Sequence, residues 1–138
     1  MHNYVKLLTT IGSIITAGFG VWHFFVPKIW NWYTHIDTNA SELVLAVRAI
    51  NVFFSLSLVL FGIINILLVN FNYTNRISII VVLSSSIVLW ITRVFFQIIY
   101  PQGTMNLIIQ YGMLITFLLV AILYIVSLGL FLFYKNVV

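Results

Sequence analysis

Four long apolar runs, at residues 4–26, 43–69, 77–100 and 107–133, constrain this chain more than any other feature. Each reaches the roughly 17 to 25 residues that a helix needs to cross a hydrocarbon core. Hydrocarbon offers no hydrogen bonds, so a spanning chain must satisfy its own backbone, as helices and closed barrels do. A barrel calls for short strands that alternate apolar and polar residues, and these runs are continuous. The sequence therefore predicts an all-α fold, an integral membrane four-helix bundle forming a single domain. Composition agrees. Of 138 residues, 63% are hydrophobic and only 6% charged, against about 25% in soluble domains.

The charges that remain argue topology rather than substrate. Six Lys and Arg against two acids give a net charge of +4, too sparse and scattered for a nucleic-acid surface. With an even number of spans both termini share one side, which collects Lys6, Arg76 and Lys135. The other side collects Lys28, Asp37 and Glu42. The positive-inside rule then places both termini in the cytoplasm, with the plasma membrane of a bacterium as the expected location. Lys6 and the small residues at 17–20 resemble a signal peptide, but the apolar run continues through Val26 and is read as a span. No cysteine is present, which excludes disulfides, thiolate metal sites and cysteine nucleophiles.

Local signals mark the breaks. Pro27 is expected to end the first helix, and Pro101, Gln102 and Gly103 to separate the third from the fourth. Between them, Ile29, Trp32, Tyr33 and Ile36 stand at helical spacing, so residues 28–38 read as a short interfacial amphipathic stretch, an aromatic anchor or a lid. Asn39 and Glu42 fit a capping box for the second helix. Asn39 and Asn72 also begin glycosylation acceptor triplets, to which no function is assigned.

The polar residues fall on one face of each helix. Thr9, Gly12, Thr16, Gly20 and His23 share an arc of roughly 80° at 100° per residue. The stripe is also a small-residue seam for close helix packing. Arg48, Asn51, Ser55, Leu58, Gly62 and Asn65 make a second stripe; Ser86, Trp90, Arg93 and Gln97 a third; Asn106, Gln110, Met113, Phe117 and Tyr124 a fourth. Counting from the helix ends at about 1.5 Å per residue places His23, Arg48 and Arg93 in one leaflet. Asn51, Gln97, Asn106 and Gln110 lie at similar depth.

A charged side chain in a membrane costs about 2.5 kcal/mol or more, so such residues face protein or water. Two readings follow. Either His23, Arg48, Asn51, Trp90, Arg93, Gln97, Asn106 and Gln110 line a cationic pocket for an amphiphilic or anionic ligand, a lipid headgroup or a quinone, or the same layer is a structural hydrogen-bond network. The second fits a noncatalytic accessory subunit that packs against another membrane protein or a second copy. A membrane oxidoreductase or transporter component ranks third, because no cofactor motif, acid pair or inverted repeat is visible. No catalytic residue is assigned; the serines at 84–86 read as packing groups. His23 lacks a second intramembrane histidine, so no metal ligand is assigned.

Small residues followed by His-Phe and then Pro at the end of a first membrane helix, here Gly18, Gly20, His23, Phe24 and Pro27, resemble the DoxX-like family of small four-helix membrane proteins. Gly62 matches a glycine late in the second helix. The resemblance implies the four-helix topology and a link to quinone-associated sulfur oxidation or redox stress. It departs where that family often carries a glutamate in helix two, since Arg48 and Asn51 stand there instead.

Overall fold

The structure, a computed structural model, describes residues 3–71 and 74–133. Asn72 and Lys135, which entered the reading of the flanks and motifs, lie outside the described residues. The helices are α1 (Asn3–Ile29), α2 (Ser41–Asn70), α3 (Arg76–Ile99) and α4 (Leu107–Phe133), with one 3-10 turn, Trp32–Thr34, between α1 and α2. All four are long and apolar enough to cross a membrane, the architecture of a multi-pass integral membrane protein. Their outer faces carry large apolar side chains such as Ile50, Phe53, Val88 and Ile115. Inside, polar groups are common: Thr9, Ser13, Thr16, Asn51, Ser55, Asn65, Ser86, Gln97 and Ser127 are all buried. With lipid outside, an apolar exterior costs nothing and association depends on packing and internal hydrogen bonds.

α1 is the centre of the arrangement, packed extensively on α2 and on α4, while α3 packs mainly on α4. Of the four helix pairs that pack side by side, α2 and α3 pack least. The α1–α2 seam depends on two glycines. A Cβ on Gly62 would lie 2.6 Å from the Ser13 carbonyl oxygen, and one on Gly20 would lie 2.8 Å from the Ser55 carbonyl oxygen. Only a residue without a side chain permits the two backbones to approach this closely.

Three local features differ from the sequence reading. α1 runs through Pro27 to Ile29, and the Trp30 amide still reaches the Val26 carbonyl at 2.9 Å. Proline lacks an N–H, so Pro27 removes the helical bond to the His23 carbonyl without ending the helix. The stop comes at Asn31, in the left-handed conformation at φ 51°. That break confines regular structure after it to Trp32–Thr34, in place of an amphipathic helix over 28–38. Nor does the capping box form: Ala40 precedes α2 with no side-chain cap, and the Asp37 carboxylate instead accepts from the Asn39 amide at 2.9 Å.

The remaining ends are capped. Asn75 Oδ1 accepts from the Ile77 amide at 3.0 Å, and Asn106 Oδ1 accepts from the Ile108 amide at 2.9 Å. Gly103 turns at φ +80°, a conformation that suits glycine.

Candidate functional site

Two polar regions occupy different depths of the bundle. The deeper one centres on the Tyr124 hydroxyl, fully buried on α4. It lies 3.1 Å from Ser13 Oγ and 3.1 Å from Thr16 Oγ1, and Asn65 Nδ2 donates to it at 3.4 Å. Asn65 Nδ2 also donates to Ser86 Oγ at 2.9 Å, and Trp90 Nε1 donates to Thr16 Oγ1 at 3.1 Å. Ser13, Thr16 and Ser86 further donate to carbonyls one turn back in their own helices. One knot thereby joins all four helices. Enclosed, and with Asn65 Oδ1 left without a partner among the described residues, it ties the fold together.

The second region opens toward the Pro27 end, where α2 and α3 part. A cavity of about 350 Å³ lies there, lined by His23, Trp32, Asn51, Phe54, Arg93 and Gln102 among others. An adjoining trough of about 340 Å³ is lined by Phe54, Leu89, Thr92, Arg93 and Phe96. Phe54 of α2 and Arg93 of α3 border both. The two spaces form one cleft between α2 and α3.

His23 enters from α1. Its Nδ1 lies 3.3 Å from Ser55 Oγ, and Ser55 donates its only hydroxyl proton to the Asn51 carbonyl at 2.6 Å. With the Ser55 proton on that carbonyl, Nδ1 is the donor of this contact. The ring packs edge-on against Phe54 at 4.7 Å and faces Trp32 at 6.3 Å between centroids. Asn51 is 6% exposed, and its Oδ1 is buried without a hydrogen-bond partner among the described residues.

Arg93 is the only cation in this wall. Its guanidinium lies over the Phe117 ring, 4.8 Å from the centroid, and donates to Gln102 Oε1. Its Nε is buried without a partner among the described residues. Neither acid of the chain, Asp37 or Glu42, is among its partners. Gln102 is itself held: Gln97 Nε2 donates to the Gln102 carbonyl at 2.9 Å, and Gln97 Oε1 accepts from its amide at 3.4 Å. The turn after α3 thus fixes the direction of the arginine.

Of the eight residues expected in one layer, the structure brings together His23, Asn51 and Arg93. Arg48 is exposed and stacks on Tyr33, 5.6 Å from the ring centroid, outside the cavity. Its place at the start of α2, where the bundle splays, leaves the long side chain nothing internal to meet. Trp90 belongs to the deeper knot, and Gln97 positions the turn rather than lining the cleft. Asn106 is an exposed helix cap; Gln110 contributes its carbonyl to Gln97 at 3.4 Å. Sequence periodicity missed Gln102, because a turn residue belongs to no helical face. It also missed that Tyr124, Thr16, Asn65 and Ser86 meet, although each stood on an inward stripe.

Among the described residues no group of three or more His, Cys, Asp or Glu is arranged to hold a metal ion. No known protein family matches the chain, and neither curated proteins nor solved structures yield a match.

Proposed function

We propose that this protein binds a small amphiphile in the cleft between α2 and α3, with the polar head against Arg93, Asn51 and His23. The observation that carries the reading is Arg93: a half-buried guanidinium in a membrane-spanning helix, without a carboxylate partner and with an unpaired Nε. Leaving such a charge incompletely paired costs several kcal/mol in a low-dielectric setting. A bound head would supply what the chain withholds. Asn51 Oδ1 in the same cavity is also unpaired, as are Thr9 Oγ1, Asn65 Oδ1 and Ser127 Oγ away from the cleft; it is an acceptor that a head bearing an O–H or N–H would satisfy.

Two heads fit this chemistry, a lipid headgroup and a quinone-like carbonyl. The quinone is the occupant that the resemblance to DoxX-like proteins implies, and the bacterial plasma membrane with cytoplasmic termini is the setting proposed for either. The volume of the cavity lies at the small end of the roughly 300–1,000 Å³ typical of ligand sites.

Native mass spectrometry of the purified protein, with lipidomics of what accompanies it, tests the reading. A defined small molecule should remain bound, be lost in Arg93→Ala and persist in Arg48→Ala, with all three proteins equally helical. Equal loss of folded protein in both variants, or an empty wild type, would count for a purely structural polar layer in an accessory subunit.

A further inference from the structure

The cleft has two unlike parts, and their difference narrows the occupant. The end cavity holds every polar group: Arg93, Asn51, His23 and Gln102. The adjoining trough, apart from the Arg93 at its border and the Thr92 hydroxyl, is apolar, with Phe54, Leu89 and Phe96 as its walls. It lies between α2 and α3, the least tightly packed of the four neighbouring helix pairs. A trough opening through a helix wall faces hydrocarbon rather than water. It therefore suits an alkyl chain that stays in the bilayer while its head is seated.

Charge then separates the possible heads. Arg93 is a permanent cation, and its partners are a neutral amide and an aromatic face. A quinone carbonyl would accept a hydrogen bond but leave the charge uncompensated. An oxyanion does both, and phosphate and carboxylate match the planar donor geometry of a guanidinium. Asn51, nine-tenths buried on the facing wall, has an unpaired amide oxygen, an acceptor that favours an oxyanion keeping one O–H, as a singly ionised phosphate monoester does. At about 350 Å³ the end cavity has room for a compact head. The trough's volume of about 340 Å³ accommodates one alkyl chain.

We infer, resting on the reading of the cleft as a ligand site, that its occupant is a single-chain amphiphile with a compact oxyanion head, reaching Arg93 sideways from the bilayer between α2 and α3. Arg93 holds the head, Gln102 aims Arg93, and Phe54, Leu89 and Phe96 hold the first part of the chain.

The full-length protein in mild detergent is titrated with decyl phosphate, decanoate, decanol, a decyl-substituted benzoquinone and inorganic phosphate, with bound probe counted by native mass spectrometry. Decyl phosphate and decanoate should bind one per protein, roughly tenfold or more tighter than decanol or the quinone. Arg93→Gln should remove that preference and Arg93→Lys should retain part of it. Thr92→Trp, which fills the trough and leaves the end cavity untouched, should abolish decyl phosphate binding and decides the matter even where Arg93→Gln fails to fold. Quinone binding as tight as decyl phosphate and indifferent to Arg93→Gln overturns the oxyanion head while leaving a ligand cleft standing. Inorganic phosphate binding as tightly as decyl phosphate overturns access from the bilayer. If no probe binds, the cleft reading itself fails.

Discussion

A methyl group added at Gly62 should loosen the whole bundle, whereas the same methyl at Gly18 should not. At Gly62 the new Cβ would lie 2.6 Å from the Ser13 carbonyl oxygen, 2.8 Å from the Ala17 Cβ and 3.0 Å from the Ala17 nitrogen. Two of these three are backbone atoms, so no side chain can swing aside; α1 and α2 must separate. Relief needs a shift of roughly 0.5 to 1 Å, enough to forfeit a quarter to a half of the dispersion well at each contact along the seam. Overpacking of this kind costs about 1–3 kcal/mol. Against it stands the helix-propensity gain of alanine over glycine, about 1 kcal/mol. Gly62→Ala should therefore be destabilised by up to about 2 kcal/mol, and Gly62→Val by more. Nothing lies within 4 Å of a Cβ at Gly18, where only the propensity gain remains. Unfolding of each purified variant in mixed micelles, followed by loss of helicity, gives the comparison. Shifts of the same sign for Gly62→Ala and Gly18→Ala would refute the close-packed seam.

Three further outcomes follow from the same contacts. Tyr124→Phe removes a hydroxyl in contact with Ser13, Thr16 and Asn65; at about 0.6 kcal/mol per intramembrane hydrogen bond it should lose about 1–2 kcal/mol, measured by the same unfolding. An unchanged midpoint would deny the knot its structural role. Asn106→Ala should cost about 1 kcal/mol through the lost cap and leave ligand retention by native mass spectrometry unchanged, since Asn106 is exposed; selective ligand loss would return it to the site. Asn65→Leu removes the Asn65–Ser86 hydrogen bond between α2 and α3. Because the chain has no cysteine, spin labels at introduced cysteines on Ser57 and Val88 should report a wider, broader distance distribution in that variant, and an identical one would show that other contacts set the gap.

Most of the architecture was legible because a membrane reduces the question to length and periodicity. The stripe Asn51, Ser55, Leu58, Gly62 and Asn65 is buried as its spacing implies, and Gly20 and Gly62 acquire a packing reason from the backbones opposite them. Arg48 stands on the same stripe yet is exposed, since periodicity gives direction but not whether a neighbour is present at that height. The breaks were harder. Pro27 was expected to stop α1, but a proline in the last turn forfeits only one hydrogen bond, and the turn is ended instead by Asn31 adopting a left-handed conformation. Gln102 shows the limit most directly: its importance comes from Gln97 holding its backbone and from its own hold on Arg93, neither of which has a sequence period.

The two polar regions also explain why one end of the bundle opens and the rest does not. Around Tyr124 the interhelical polar contacts run between hydroxyls, an indole N–H and an amide, all short-range and directional, and the glycine seam beside them keeps α1 and α2 close. Toward the Pro27 end the small residues give way to rings, Phe19 meeting Trp22 at 5.3 Å and Phe117 at 5.1 Å and Phe54 meeting His23 at 4.7 Å between centroids, and the Asn65–Ser86 bond between α2 and α3 lies behind them. Rings hold helices farther apart than glycines do. A cleft bordered by Phe54 and Arg93 is the geometric result, and the knot below it prevents the opening from spreading. Rigid centre and parted end are thus one design: the hydrogen bonds that fix α2 against α3 at Asn65 let the same helices diverge at Asn51 without the bundle coming apart.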